Sequence, residues 1–211
     1  MRENEPRSSR SAPNTTDVPD TSWTAPPRFE DVLADTSVDV LVFADIDGVL
    51  NARRPKWDSR IERRHVRTET GEYNVTWSPA LVTELRQLDH HPRVRLVWLT
   101  SWGPEVAPLE DLWGYLPRWP RAIPELLPTG EVPAAKHAVI DRVAAAGRSY
   151  VWCDDELAGD VDDVTEFGGL RLEIRPKSRH GLEPVHIERI WGFIAKVVAG
   201  EDRRALRDTA G

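Results

Sequence analysis

Short β-branched runs alternate with segments of helical periodicity along this chain, and that alternation restricts the fold more than any other property of the sequence. Val38-Asp39-Val40-Leu41-Val42-Phe43-Ala44 is the first run, Val94–Leu99 the second, Ser149–Cys153 the fourth and Gly169–Ile174 the fifth. A short strand is expected around Ala122–Leu126 as the third. Between them, Ser78-Pro79 opens a helix to about His91, with serine as N-cap, proline at the first helical position and Leu81, Val82, Leu85 and Leu88 at helical spacing. Pro104–Leu116 reads as a second helix, Ala134–Ala146 as a third stopped by Gly147, and Glu183–Val198 as an amphipathic last helix. Continuous apolar strands alternating with helices of this length specify a parallel sheet covered on both faces, a three-layer α/β fold.

The 211 residues do not all belong to that unit. Among the first 22 only Met1, Ala12 and Val18 are apolar, and five prolines fall by position 27. Residues 1–27 therefore read as a disordered leader, because too little apolar surface is available to offset the entropy of ordering. The folded domain is expected over residues 28–200, followed by a polar tail at 201–211 that either frays or extends the last helix. No apolar run reaches the roughly 18 residues of a membrane span, and the N-terminus has no apolar secretory core. The lone Cys153 forbids an internal disulfide, so a reducing cytoplasm is the expected compartment. Neither a membrane nor an obligate protein partner is expected.

Function is concentrated at the strand ends, where ligands bind in open parallel sheets. The first strand runs into Asp45-Ile46-Asp47-Gly48, the second into Thr100-Ser101-Trp102 and the fourth into Asp154-Asp155-Glu156. Lys136 lies near the start of the helix that feeds the fourth strand. Carboxylates crowded in this way repel unless a cation compensates them. All-oxygen ligation by few protein groups suits Mg²⁺, which shares its shell with water and phosphate. An aspartate beside Mg²⁺ and an ammonium can attack phosphorus, and a second one, brought back by a turn at Gly48, can move the proton. Plainer readings compete. The Asp-Asp pair can cap a helix, Thr100 and Ser101 can do the same, and Lys136 can be a surface lysine. An EF-hand is excluded, since its sixth and twelfth positions require Gly and Glu where this chain has Leu50 and Lys56. Only 4 of 28 basic residues are lysines, so Lys136 stands out in a chain that otherwise uses arginine.

This order of residues resembles the haloacid dehalogenase (HAD) superfamily of phosphohydrolases over roughly Val38–Val198. The resemblance implies a Rossmann-like five-stranded parallel sheet in the order 3-2-1-4-5. It implies that Asp45 is the nucleophile and Asp47 the acid/base, that Thr100 and Lys136 hold the phosphoryl group, and that Asp154 and Asp155 anchor Mg²⁺ together with Asp45 and the main-chain carbonyl of Asp47. Superfamily phosphatases carry an acid two residues after the nucleophile, as here, whereas the transport ATPases carry threonine and the dehalogenases lack the second aspartate. The implied activity is Mg²⁺-dependent phosphomonoester hydrolysis through an aspartyl-phosphate. A phosphotransferase, a nucleic-acid end-processing enzyme and a non-catalytic phospho-ligand module remain alternatives on the same site. Arg175–Leu182 is similar to a loop of small superfamily members.

Residues 51–77 form the expected flap, a hairpin turning at Thr68-Glu69-Thr70-Gly71-Glu72. About 50 residues between the first two strands leave room for a small cap only. Residues 53–67 hold seven bases against two acids, 7 − 2 = +5, whereas residues 154–166 hold seven acids and no base, −7. The whole-chain value of −7 therefore hides an anion-attracting flap beside a cation-requiring floor. Arg53 and Arg54, with Ser101, are expected to bind the substrate, a phosphorylated small molecule, nucleotide or nucleic-acid end. Trp57, Tyr73 and Trp77 are candidates to stack a base. The alternative is a solvated hairpin whose arginines pair with the acidic stretch. His65 and His180 have no assigned role.

Overall fold

The computed structural model describes residues 25–58, 60–114, 118–161, 164–166 and 168–209. In chain order the elements are α1 (Phe29–Ala34), β1 (Val40–Ala44), β2 (Glu62–Arg67), β3 (Glu72–Trp77), α2 (Pro79–Asp89), β4 (Val94–Trp98), a 3₁₀ turn (Gly103–Val106), α3 (Ala107–Trp113), α4 (Val132–Ala145), β5 (Ser149–Cys153), β6 (Val164–Glu166), β7 (Gly169–Ile174) and α5 (Pro184–Thr209). The expected leader falls almost wholly on residues 1–24, outside the described residues. Of the two readings of the 201–211 tail, the structure shows the helical one, with α5 running on to Thr209.

The sheet order is β4-β1-β5-β7-β6. β1 pairs in parallel with β4 and β5, and β5 pairs in parallel with β7. These four strands occupy the second, first, fourth and fifth places of the expected order. The expected five parallel strands are corrected to four, because β6 pairs antiparallel with β7 as a short hairpin. The expected third strand at Ala122–Leu126 is reduced to a bridge between Arg121 and Trp98, with Trp98 N–H donating to Pro120 and Ala122 N–H donating back to Trp98. Pro124 has no N–H and a fixed φ, so the ladder cannot continue through it. The helix expected over Pro104–Leu116 is likewise broken into the 3₁₀ turn and α3. α3 ends at Gly114, which takes φ +67° as a helix-terminating glycine does; Tyr115 and Leu116 are outside the described residues.

The period of two along β1 sorts the core into two layers. Val40, Val42 and Ala44 face a cluster with α2, α3 and α5. Leu41 and Phe43 face the opposite cluster, built with α1 and α4. The β2–β3 hairpin is part of the first layer along its length, from Trp77 at its base through Val75 to Val66 beside its turn, so it does not stand free of the core.

A buried carboxylate closes the sheet edge that lacks its third strand. Glu110 on α3 has no exposed surface and accepts hydrogen bonds from the Trp98 indole (2.9 Å), the Trp119 main chain (3.0 Å) and Arg121 (3.2 Å). Burial still holds its pKa above the ordinary carboxylate value, against the opposing pull of Trp98 and Arg121. Removing one partner of such a pair leaves the other charge buried and uncompensated. Glu110→Ala is expected to lower the unfolding free energy by about 3 kcal/mol in urea titration.

Candidate active site

Hydrogen bonding continues one residue past the strand ends and so fixes where the acids emerge. Leu99 N–H donates to Ala44 (3.0 Å), Asp45 N–H to Cys153 (3.0 Å) and Asp154 N–H to Ile174 (3.2 Å). Asp45 and Asp154 thus stand side by side at the carboxyl ends of β1 and β5. Beyond β1 the chain coils tightly, with the Ile46 carbonyl accepting the N–H groups of Val49, Leu50 and Asn51 at 3.2, 2.9 and 2.8 Å. Gly48 adopts φ +69° in this coil, a conformation disfavoured for residues with a Cβ. The coil turns Asp47 into the same cavity, about 740 Å³ in volume, as Asp45, Ser101, Trp102, Lys136, Asp154 and Asp155.

Lys136 lies in the first half of α4 and is 4% exposed. Its ammonium donates to Asp45 Oδ2 at 2.5 Å and to Asp154 Oδ2 at 2.8 Å. Burial works to lower the Lys136 pKa, but the two carboxylates outweigh it and the net shift is upward. Asp45 is pushed up to about 6, chiefly by burial and further by Asp154, against the attraction of Lys136. Asp154 is fixed from its other side, with Oδ1 accepting the N–H groups of Glu156 (3.0 Å) and Leu157 (2.7 Å).

Among the described residues, Asp45, Asp154 and Asp155 each offer a carboxylate oxygen within 4.8 Å of the other two. Three carboxylates against one ammonium leave −3 + 1 = −2 when all are ionised, the charge a divalent cation neutralises. Hard oxygen donors suit Mg²⁺. The coil also keeps room for the third carboxylate: a Cβ on Gly48 would stand 2.2 Å from Asp155 Cγ, so glycine is what lets Asp155 lie there. The residues present fit the metal.

Asp47 is exposed, yet both its oxygens are engaged. Oδ1 accepts from Asn51 at 2.7 Å and Oδ2 from the Trp102 indole N–H at 2.9 Å. Trp102 is 6% exposed, and Tyr73 of the hairpin lies against it with ring centroids 4.8 Å apart. The turn of the hairpin is tied down beside them. Buried Glu105 takes Thr70 N–H at 2.7 Å on Oε1 and the Thr70 hydroxyl at 2.5 Å on Oε2, and that hydroxyl is 2.9 Å from the Tyr73 hydroxyl. These positioning roles of Asn51, Trp102 and Glu105 are absent from the sequence reading. A chain-local signal exists for Asn51 alone, four residues after Asp47.

Not every expected site residue lines the cavity. Thr100 is buried at 2% exposure, its hydroxyl accepting the Trp102 N–H at 3.5 Å, and the cavity wall at this point is Ser101. Arg53 and Arg54 are exposed and do not line the cavity. Trp77 is in the core, and Trp57 is half-buried with its indole donating to the Leu182 carbonyl at 2.7 Å. Tyr73 is the one of the three stacking candidates on the cavity wall. Among the described residues, the hairpin arginines do not pair with the 154–166 stretch: Arg60 and Arg64 pair with Glu62, and Arg67 with Glu72.

A four-strand parallel sheet with these acids and a lysine at its carboxyl edge defines a HAD-type hydrolase. Residues 41–187 match the family described as the HAD domain in Swiss Army Knife RNA repair proteins, and the chain belongs to that family. No curated protein and no solved structure gives a match. Among the described residues, no helix is long and apolar enough to cross a membrane.

Two outcomes follow from this geometry. Gly48→Ala forces Asp155 to move and is expected to weaken Mg²⁺ or Mn²⁺ binding by about tenfold or more, read by titration calorimetry of the folded variant. The folded pKa of Asp45, about 6, lies above its ordinary 3.8, so the folded state holds the proton more tightly than the unfolded one. Stability from this group is therefore present below pH 4 and is lost as pH rises through 6. Without divalent metal, Asp45→Asn should flatten that fall in melting temperature between pH 4 and 7.

Proposed function

We propose that this protein is a Mg²⁺-dependent phosphomonoesterase working through an aspartyl-phosphate, and that its substrate is the phosphorylated end of a nucleic acid. The observation that carries the chemistry is the clamp of Lys136 on Asp45 and Asp154 at the floor of a cavity that also holds Asp47. The nucleic-acid end is supported by membership of a family described from RNA repair proteins, and by the aromatic face of Tyr73 and Trp102 on the cavity wall.

In this mechanism a carboxylate oxygen of Asp45 attacks phosphorus, forming an acyl-phosphate as the bond to the leaving oxygen breaks. Asp47 gives its proton to that leaving oxygen. It then takes a proton from the water that attacks the acyl-phosphate, releasing inorganic phosphate and restoring the Asp45 carboxylate. Lys136 lies across Asp45 and offers its ammonium to the phosphoryl oxygens as charge spreads over them, while Ser101 borders the same space. Asp45, Asp154 and Asp155, with the Asp47 carbonyl, would hold Mg²⁺, which would supply charge neutralisation to the transferring group. Trp102 and Asn51 keep Asp47 aimed into the cavity. The lone thiol of Cys153 is consistent with a reducing cytoplasm.

Asp45→Asn is expected to abolish phosphate release from every ester tried while the fold is kept; retained turnover contradicts the mechanism. Trp102→Phe keeps an aromatic ring beside Tyr73 but loses the N–H that bonds Asp47, together with the pyrrole part of the indole. It should cost at least about tenfold in kcat for an alkyl phosphate, whose leaving oxygen needs the proton. It should cost little for an aryl phosphate bearing a nitro group, whose leaving oxygen does not. An equal loss for both esters contradicts the positioning of Asp47 by Trp102.

A further inference from the structure

Two loops distant in sequence are stapled together beside the cavity. Arg54 N–H donates to the Arg179 carbonyl at 2.8 Å, and Leu182 N–H donates to the Val49 carbonyl at 2.9 Å. The Trp57 indole donates to the Leu182 carbonyl at 2.7 Å, and Lys56 pairs with Glu183 at 3.5 Å. Gly181, at φ +65°, fits so closely that a Cβ there would stand 2.3 Å from the Val49 carbonyl oxygen. The 175–181 loop is held in turn by His180 N–H and Gly181 N–H on the Lys177 carbonyl, at 2.7 and 3.0 Å. The backbone beneath this part of the surface is thus fixed before any ligand arrives.

Apart from Lys56, that junction collects cations that pair with no carboxylate among the described residues. Arg53, Arg54, Lys177 and Arg179 are all exposed. Elsewhere on the flap, Arg60, Arg64 and Arg67 pair with hairpin glutamates, and Arg175 of the second loop donates to the Ala158 carbonyl at 2.5 Å. Arg53, Arg54, Lys177 and Arg179 make no ion pair among the described residues. Ser178, between Lys177 and Arg179, lies on the cavity wall. Four uncompensated positive side chains on a rigid two-loop base therefore adjoin the mouth of a cavity whose own floor is acidic.

These four cations do not line the cavity that holds Asp45 but flank its wall at Ser178, a position suited to anions further along the same molecule. We propose that Arg53, Arg54, Lys177 and Arg179 form a cationic ridge that binds the phosphodiester backbone of a single-stranded nucleic acid whose terminal phosphate enters the cavity. The proposal rests on the phosphomonoesterase reading of the cavity and adds to it the part of the substrate beyond the terminal nucleotide. It makes the enzyme selective for strands over mononucleotides by contacts with backbone, not with base sequence.

The test has an arm that needs no turnover. Asp45→Asn protein is titrated into a fluorescent single-stranded RNA of ten nucleotides carrying no terminal phosphate, with affinity followed against salt. Binding whose logarithm falls with log salt by about 0.7 for each phosphate contacted is expected. The slope should shrink by about 1.4 in the Lys177→Ala/Arg179→Ala double variant and by a similar amount in Arg53→Ala/Arg54→Ala. In the turnover arm, KM for the same RNA phosphorylated at either end should rise about tenfold more than KM for the matching mononucleotide in these variants. No salt-dependent RNA binding, or a slope untouched by both double variants, overturns the ridge even if phosphate esters are hydrolysed. Ridge-dependent RNA binding without hydrolysis of any phosphate ester would instead sustain the ridge and overturn the phosphomonoesterase.

Discussion

One ion triad organises the site and, through it, the end of the fold that bears function. Lys136 is nearly sealed from solvent and bonds to one carboxylate from each of two adjacent strands. A buried ammonium or carboxylate alone is costly, and each of these three charges is tolerable only because the others are present. The triad locks the start of α4 against the ends of β1 and β5. The balance is incomplete, since burial keeps Asp45 near pKa 6 despite its ammonium. That residual cost is one that a divalent cation at the Asp45, Asp154 and Asp155 cluster would relieve.

Around this fixed floor the other parts are held at one remove. Asp47 is aimed by an indole and an amide, the indole lies against a tyrosine of the hairpin, and the hairpin turn is tied to the buried carboxylate of Glu105. Asp47 and the hairpin are therefore joined by direct contacts. The flap is not a free lid, since Val66, Val75 and Trp77 root it in the core. Its accessible parts are the turn and the cationic segment that precedes it.

What the sequence discloses and what it hides divide along physical lines. Strands buried on both faces read as apolar runs, and β1, β4, β5 and β7 lie within a residue or two of their expected positions. Acids following such runs must emerge at the carboxyl edge, so the gathering of Asp45, Asp47, Lys136, Asp154 and Asp155 was legible without coordinates. Ile123, Leu126 and Leu127 give the third segment an apolar look, but Pro124 forbids the ladder. The three residues of β6 are too few to carry a periodicity. Trp102, Glu105 and the pairing of Arg54 with Arg179 depend on contacts across 55, 35 and 125 residues of chain, which no local pattern encodes. The charge split between flap and floor was visible, but which cations are left uncompensated emerges only when their neighbours are known.

The central claim is that Asp45 carries the phosphoryl group between substrate and water. Its most direct test is rapid acid quenching of wild-type protein turning over a phosphorylated oligonucleotide with Mg²⁺, followed by peptide mass mapping. The account predicts one base-labile phosphoryl group, confined to the peptide containing Asp45 and formed no more slowly than phosphate is released. Turnover that proceeds with no such adduct, or with the adduct on another residue, would contradict it.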